Sequence, residues 1–202
     1  MKIICIGRNY AEHARELKNE IPANPVIFMK PDSAILRKGE PFFYPEFSEN
    51  INYEAELVFK ICKIGKHIKS KFAVKYISEF SLGIDFTARD LQDNLKSKGL
   101  PWEISKAFDQ SAAVGTFIPA KDYDLNKIEF SLKINGETVQ SGNSENMIFS
   151  VENIIDYTSK YFTLKIGDLI FTGTPEGVGK ISINDHLEGF IFDKKVLDVK
   201  IK

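Results

Sequence analysis

A mixed α+β, strand-rich fold with few helices is what this sequence predicts, on three observations. Short apolar runs of strand-forming residues recur along the chain, bounded by glycine, proline and polar turns. Asn135-Gly136 joins two of these runs with the best short hairpin signal in the sequence. Only 151–162 keeps a clear helical period: Val151, Ile154, Ile155, Thr158 and Phe162 share a face, behind Ser150 as N-cap. The 202 residues suit a single domain spanning 1–202, long enough to bury a full core.

Composition bounds the function. A net charge of -1 argues against a nucleic-acid partner, which needs a basic face to neutralise phosphates. No run approaches the ~18 apolar residues that span a bilayer, so no membrane partner is expected. Met1-Lys2 passes straight into the strand Ile3-Ile4-Cys5-Ile6, so no secretory signal is expected. The two cysteines, Cys5 and Cys62, lie in apolar strand-like runs and read as buried free thiols, with the cytoplasm as default compartment.

In chain order, Gly7-Arg8-Asn9-Tyr10 makes a turn, and 11–17 has the composition of a short helix. On it, His13 and Glu16 stand three apart and share a face. A carboxylate bonded to an imidazole orients the ring and raises its basicity, as a general base requires; the competing reading is two solvated neighbours. The stretch 18–25 is polar and broken by proline, so residues 10–25 suit a mobile lid helix and loop. Residues 26–31 read as a strand ending at Pro31, and 37–50 as an edge segment or loop, where Pro41 and Pro45 exclude a central strand.

Asn52 to Ile61 reads as one strand. Tyr53, Ala55, Leu57, Phe59 and Ile61 take one face, while Glu54 and Glu56 sit side by side on the other. At roughly 5 Å two carboxylates repel by about 3 kcal/mol at an effective dielectric of ~20, so a metal, a proton or open solvent must relieve them. A helical turn at 72–77 leads to a buried strand at 81–86, in which Asp85 is anomalous. A buried carboxylate needs a partner, and a cation shared with Glu54 and Glu56 would supply it. Arg89 and Gln92 then share a face of a helix-like segment, and Lys106 lies in the amphipathic stretch 102–108.

Further strands are expected at 113–119, 128–134 and 137–140. Residues 164–171 make a turn and strand that deliver the Gly/Thr-rich loop 172–179. Its N–H groups and hydroxyls suit an anion or simply a turn, and it lacks the Gly-Lys-Ser/Thr ending of a nucleotide phosphate loop. Strands near 186–192 and 196–201 close the sheet, and His67 and His186, without evident carboxylate partners, read as surface residues.

Taken as an ordered set, these stretches resemble the fumarylacetoacetate hydrolase family, in the compact form that covers acylpyruvate hydrolases and oxaloacetate-acting enzymes. The resemblance runs over nearly the whole chain: Gly7-Arg8-Asn9-Tyr10 with His13 and Glu16, Phe28-Met29-Lys30-Pro31, Tyr53-Glu54-Ala55-Glu56-Leu57, and 85–92. It continues through Pro101-Trp102 with Lys106, Gly167-Asp168 and 172–179. It implies a mixed β-sandwich or β-roll, a homodimer, and Mg²⁺ (or Mn²⁺) held by Glu54, Glu56 and Asp85. It further implies that the helix of His13 and Glu16 orders over ligand with that pair activating water, and that Arg89, Gln92, Lys106 and Thr174 contact substrate. Gln110-Ser111-Ala112-Ala113 departs from the Cys-Pro many relatives carry, which bears on local loop shape.

The expected substrate is therefore a small 2-oxo or 2,4-dioxo carboxylic acid. For a 2,4-dioxo acid (an acylpyruvate), His13 oriented by Glu16 would deprotonate a water that attacks C4, with Lys106 and Gln92 donating to the oxyanion. The C3–C4 bond then breaks, and a dication acting as Lewis acid stabilises the pyruvate enolate. Decarboxylation of oxaloacetate gives the same enolate, and proton transfer at C3 interconverts its keto and enol forms. Two alternatives stand beside this reading: a hydratase, decarboxylase or isomerase of 2-oxo-enoic acids, and a non-catalytic domain that binds a small acid.

Overall fold

The computed structural model describes residues 1–12 and 21–202. From the N-terminus come strands β1 (Ile3–Gly7), β2 (Val26–Lys30), β3 (Ile35–Leu36), β4 (Ile51–Tyr53) and β5 (Ala55–Ile61). Next are β6 (Ile77–Asp85), β7 (Thr87–Ala88), β8 (Ala112–Val114) and β9 (Ile118–Pro119). The rest are β10 (Glu129–Ile134), β11 (Glu137–Asn143), β12 (Leu169–Phe171), β13 (Gly179–Lys180), β14 (His186–Ile191) and β15 (Lys194–Lys200). Four α-helices are described over their whole length: α1 (Ser70–Ala73), α2 (Arg89–Ser97), α3 (Glu103–Lys106) and α4 (Val151–Tyr161). The fold is the mixed, strand-rich α+β class that the sequence predicts, and none of these helices is long and apolar enough to cross a membrane.

The largest sheet runs β2-β1-β12-β5-β6-β8-β3, with β9 also on β6. It is mixed: β1 with β12 and β3 with β8 are parallel, and the other pairs antiparallel. Alternation along β5 divides its side chains as the sequence predicts. Leu57, Phe59 and Ile61 enter the main core with Phe80 and Leu82 of β6, while Val58 packs on the opposite face with Ile3, Cys5 and Phe171. A second, antiparallel sheet, β11-β10-β14-β15, covers the main core. At Gly189 a Cβ would lie 2.6 Å from Leu82 Cδ2, so the missing side chain sets how closely the two sheets approach. A third, small sheet, β13-β4-β7, caps one end of β5.

Local chemistry explains the connections. Asn135 and Gly136 both have positive φ, 52° and 89°, as a tight hairpin turn requires. Ser150 Oγ accepts from Asn153 N at the start of α4, and Val151, Ile154, Ile155 and Thr158 are buried. Phe162 is the exception: it is the extended C-cap rather than a member of the helical face.

Five other expectations are corrected. The strand 52–61 is interrupted at Glu54, because β4 turns to pair with β13 and β7 while β5 enters the large sheet. The strand 113–119 is two strands: Gly115 N bonds Leu82 O and Thr116 N bonds Val196 O, drawing the backbone between the two sheets. The last two strands join β10 and β11 in the second sheet instead of closing the first. His186 has a carboxylate partner after all, with Nε2 2.9 Å from Asp198 Oδ1, because register rather than sequence proximity brings them together. Of the thiols, Cys5 is buried but Cys62, one residue past β5, is partly exposed.

Candidate active site

The register of two strands builds the centre of the site. In the β5–β6 pair Glu56 lies opposite Gly83 and Ala55 opposite Ile84. One step further, Asp85 N donates to Glu54 O at 2.8 Å, which sets Asp85 beside the β4–β5 junction. Glu54, Glu56 and Asp85 are all buried, and one carboxylate oxygen from each lies within 4.8 Å of the others.

Cations follow from the same topology. β7 pairs with β4, and Arg89 N donates to Asn50 O, so the first residue of α2 stands over β4. Its guanidinium donates from Nε to Asn52 Oδ1 at 3.1 Å, from Nη1 to Gln92 Oε1 at 2.6 Å and from Nη2 to Glu54 Oε1 at 2.5 Å. The three-residue spacing of Arg89 and Gln92 is what lets them meet. Lys106, the last residue of α3, donates to Glu54 Oε2 (2.8 Å), Asp85 Oδ2 (2.7 Å) and Thr87 Oγ1 (2.6 Å). All three of its N–H groups are thereby used.

Lys30 is one of the residues to which sequence reasoning gave no role in the site. It is wholly buried at the end of β2, with Nζ 2.7 Å from Asp85 Oδ1 as an ion pair. It also donates to the Lys106 carbonyl and to Ser111 O (3.1 Å) and Oγ (3.0 Å). Ser111 lies in the departure at 110–113, which therefore supports the site from behind as well as shaping a loop. The anomalous Asp85 is thus paired with two lysines.

The loop 172–179 closes another side. Gly173, at φ 92°, donates its N–H to Glu56 Oε2 at 2.8 Å, so the anion this N–H meets is the protein's own carboxylate. Thr174 is buried and its Oγ1 accepts from Gln140 Nε2 at 2.9 Å; Gln140 Oε1 accepts from Ala55 N at 2.9 Å. Asn9 ties the Gly7-Arg8-Asn9-Tyr10 turn to this loop by donating to Thr172 O at 2.8 Å. Asn9 and Gln140 are polar residues without a distinctive spacing, and only the fold reveals their use.

Three buried carboxylates therefore face three buried cations. Among the described residues no cation forms an ion pair with Glu56. Burial, then the neighbouring Asp85 and Glu54, push its carboxyl well above the usual range, against the pull of Lys106 and the Gly173 N–H. Burial works against the charge on Lys106, but Asp85 and Glu54 outweigh it and hold its ammonium above the ordinary lysine range. The donor set fits a hard dication: carboxylate oxygens only, converging, with one acid, Glu56, that no ion pair neutralises among the described residues.

A pocket opens onto this centre, lined by Glu54, Glu56, Arg89, Gln92, Lys106 and Thr174, with Arg8, Phe28, Lys96 and Trp102 towards the remaining wall. The structure brings together seven of the nine residues singled out in the sequence. His13 and Glu16 lie outside the described residues, as does most of the helix expected at 11–17 and part of the lid expected over 10–25.

Comparison with known proteins gives a consistent neighbourhood. The family model for fumarylacetoacetate (FAA) hydrolase, C-terminal, matches residues 2–202. "Oxaloacetate tautomerase FAHD1, mitochondrial" of Bos taurus is 41% identical over 201 residues, covering 99% of this chain and 90% of that protein. "Oxaloacetate decarboxylase, mitochondrial" of Dictyostelium discoideum is 46% identical over 182 residues, covering 89% and 84%. Among solved structures, a fumarylpyruvate hydrolase from Pseudomonas aeruginosa in complex with Mn²⁺ and pyruvate superposes with a TM-score of 0.94 at 37% identity. That match covers 100% of this chain and 89% of the other.

Proposed function

The chain belongs to the fumarylacetoacetate hydrolase family, and on that premise we propose a divalent-metal enzyme that works through the enolate of a small 2-oxo acid. Its first reaction in this reading is interconversion of the keto and enol forms of oxaloacetate. The observation that carries the reading is the convergence of Glu54, Glu56 and Asp85, all buried and with no ion pair on Glu56 among the described residues, beside a cation-lined pocket that Glu54 and Glu56 border.

Bound by those three carboxylates, Mg²⁺ or Mn²⁺ would supply electrophilic stabilisation of the negative charge that develops on the 2-oxo group. The remaining work falls to the chain. Three of the five guanidinium N–H groups of Arg89 are held by Asn52, Gln92 and Glu54, which fixes the fork and leaves two for a substrate carboxylate. Gln92 accepts through Oε1, leaving its NH₂ to donate to a substrate oxygen. Lys106 reaches such an oxygen by exchanging one of its three bonds, the neutral acceptor Thr87 being the least costly to give up. Thr174, anchored by Gln140, offers its hydroxyl proton from the opposite wall.

The second reading is hydrolysis of acylpyruvates, favoured by the fumarylpyruvate hydrolase neighbour. Here His13, oriented by Glu16, takes a proton from water, whose oxygen bonds to C4. The C4 alkoxide collapses, the C3–C4 bond breaks, and its electron pair forms the enolate; protonation at C3 yields pyruvate and a carboxylic acid. Tautomerisation needs no attacking water, so the dyad separates the two reactions.

The test follows the enol absorbance of oxaloacetate and of acetylpyruvate with protein and Mg²⁺ or Mn²⁺, against an EDTA control. Metal-dependent acceleration for oxaloacetate is expected, and His13→Ala should reduce acetylpyruvate cleavage far more than oxaloacetate tautomerisation. No acceleration of either substrate with either metal would leave a non-catalytic acid-binding domain as the better account. We also propose a homodimer, from the family resemblance, and a cytoplasmic location. Relatives named as mitochondrial make fractionation the deciding measurement for the latter.

A further inference from the structure

The pocket holds more positive charge than its carboxylates use. Lys106 and Arg89 are bonded to Glu54, and Lys106 also to Asp85. Lys96 and Arg8 line the same pocket, and among the described residues neither makes an ion pair.

Lys96 is placed there by the helix. It lies four residues after Gln92 and seven after Arg89, so α2 presents all three on one side. Its ammonium stands 5.6 Å from the centroid of the Trp102 ring, and Trp102 packs on Phe28 at 5.9 Å. Phe28 in turn carries the Lys106 ammonium 5.3 Å from its own centroid. The result is a sequence of contacts along one wall: buried cation, two aromatic rings, half-buried cation. Lys106 marks the end at the carboxylates and Lys96 the far end. Two rings give that wall a firm shape, so the spacing of the two ammonium groups is set by packing rather than by loose side chains.

We propose that Lys96, assisted by Arg8, receives the distal carboxylate of the substrate and makes the enzyme selective for 2-oxo dicarboxylates over 2-oxo monocarboxylates. The inference rests on the proposed function in taking the 2-oxo end to the buried carboxylates. It adds the specificity residue, which that reading leaves open. Burial, then the positive charge of Arg89, lowers the ordinary affinity of Lys96 for its proton, so an arriving anion would relieve an existing stress. An apolar substrate tail at the same place would leave the ammonium without a counterion and would cover it from water, which discriminates against monocarboxylates.

The test uses a matched pair of five-carbon acids, 2-oxoglutarate and 2-oxovalerate, which differ only in a terminal carboxylate against a methyl group. Calorimetry on the Mn²⁺-loaded full chain should show 2-oxoglutarate binding at least about tenfold more tightly, roughly 1.4 kcal/mol. Lys96→Met should collapse that ratio towards one, while Lys96→Arg should retain most of it. In parallel, KM for oxaloacetate should rise about tenfold in Lys96→Met with little change in kcat. A ratio that survives Lys96→Met, or a wild-type protein that does not distinguish the two acids, overturns the proposal. If the binding ratio behaves as expected but oxaloacetate is not turned over, the proposed reaction falls and the dicarboxylate subsite stands.

Discussion

Glu56 is the acid whose surroundings most demand a counterion. Its carboxyl is raised by burial and by Asp85 and Glu54. The sign of the consequence is definite. Between the ordinary glutamate pKa and the raised folded one, the metal-free native state holds more protons than the unfolded chain, so stability falls as pH rises through that window. Glu56→Gln, which keeps the neutral shape, should flatten that slope. Urea midpoints of metal-free protein from about pH 5 to 8 measure it; parallel slopes for both proteins would mean that Glu56 is ionised throughout. At this scale the sequence was partly legible. Glu54, Glu56 and Asp85 stood out because carboxylates in strand-like, apolar runs conflict with burial. Lys30 did not, since a lysine before Pro31 looks like a solvated strand end. Its meaning comes from Asp85, which only the tertiary fold places 2.7 Å away.

Elements turn these residues into a site by failing to run straight. Glu54 sits where one extended stretch is divided between two sheets, and the turn after β12 brings Gly173 against Glu56. Strand existence was legible from apolar alternation, whereas the breaks at Glu54 and Gly115 were not. They arise from competition between sheets for the same backbone, and local propensity does not register that competition. Gly173 makes the point testable. Its φ of 92° disfavours any side chain, and a Cβ would lie 2.8 Å from Asn9 Cβ and 3.0 Å from Ile6 O. Gly173→Ala should cost about 1–3 kcal/mol, and it should also weaken metal binding because the N–H leaves Glu56. Gly39→Ala is the control: its φ is 85°, yet nothing lies within 4 Å of its Cβ position, so it should lose stability through strain alone. Thermal melts and Mn²⁺ calorimetry on both variants separate the outcomes. Equal metal affinity in Gly173→Ala and wild type would show that the loop does not position Glu56.

At the scale of the whole molecule, ion binding and folding are one problem. The three acids come from the β4–β5 junction, β5 and the end of β6, and their cations from β2, α2 and α3. The unfolded chain brings none of these together, so a dication that binds them binds the native state almost alone. Stabilisation then grows as RT ln(1 + [M]/Kd), about 2.7 kcal/mol at a hundredfold excess over Kd. For a chain of this size that is a rise of roughly 5–11 °C in Tm. Mn²⁺ should therefore raise Tm in a concentration-dependent way that EDTA reverses, and Glu56→Gln should blunt the response. The second group of metal-type donors, His186, Glu188 and Asp198, supplies the internal comparison. It is partly exposed and already neutralised by Lys195, at 2.8 Å from Glu188 and 2.7 Å from Asp198. An Asp198→Asn variant should keep the full Mn²⁺ response. If instead Asp198→Asn abolishes it and Glu56→Gln does not, the ion belongs to the surface sheet and the buried acids hold only their lysines and arginine.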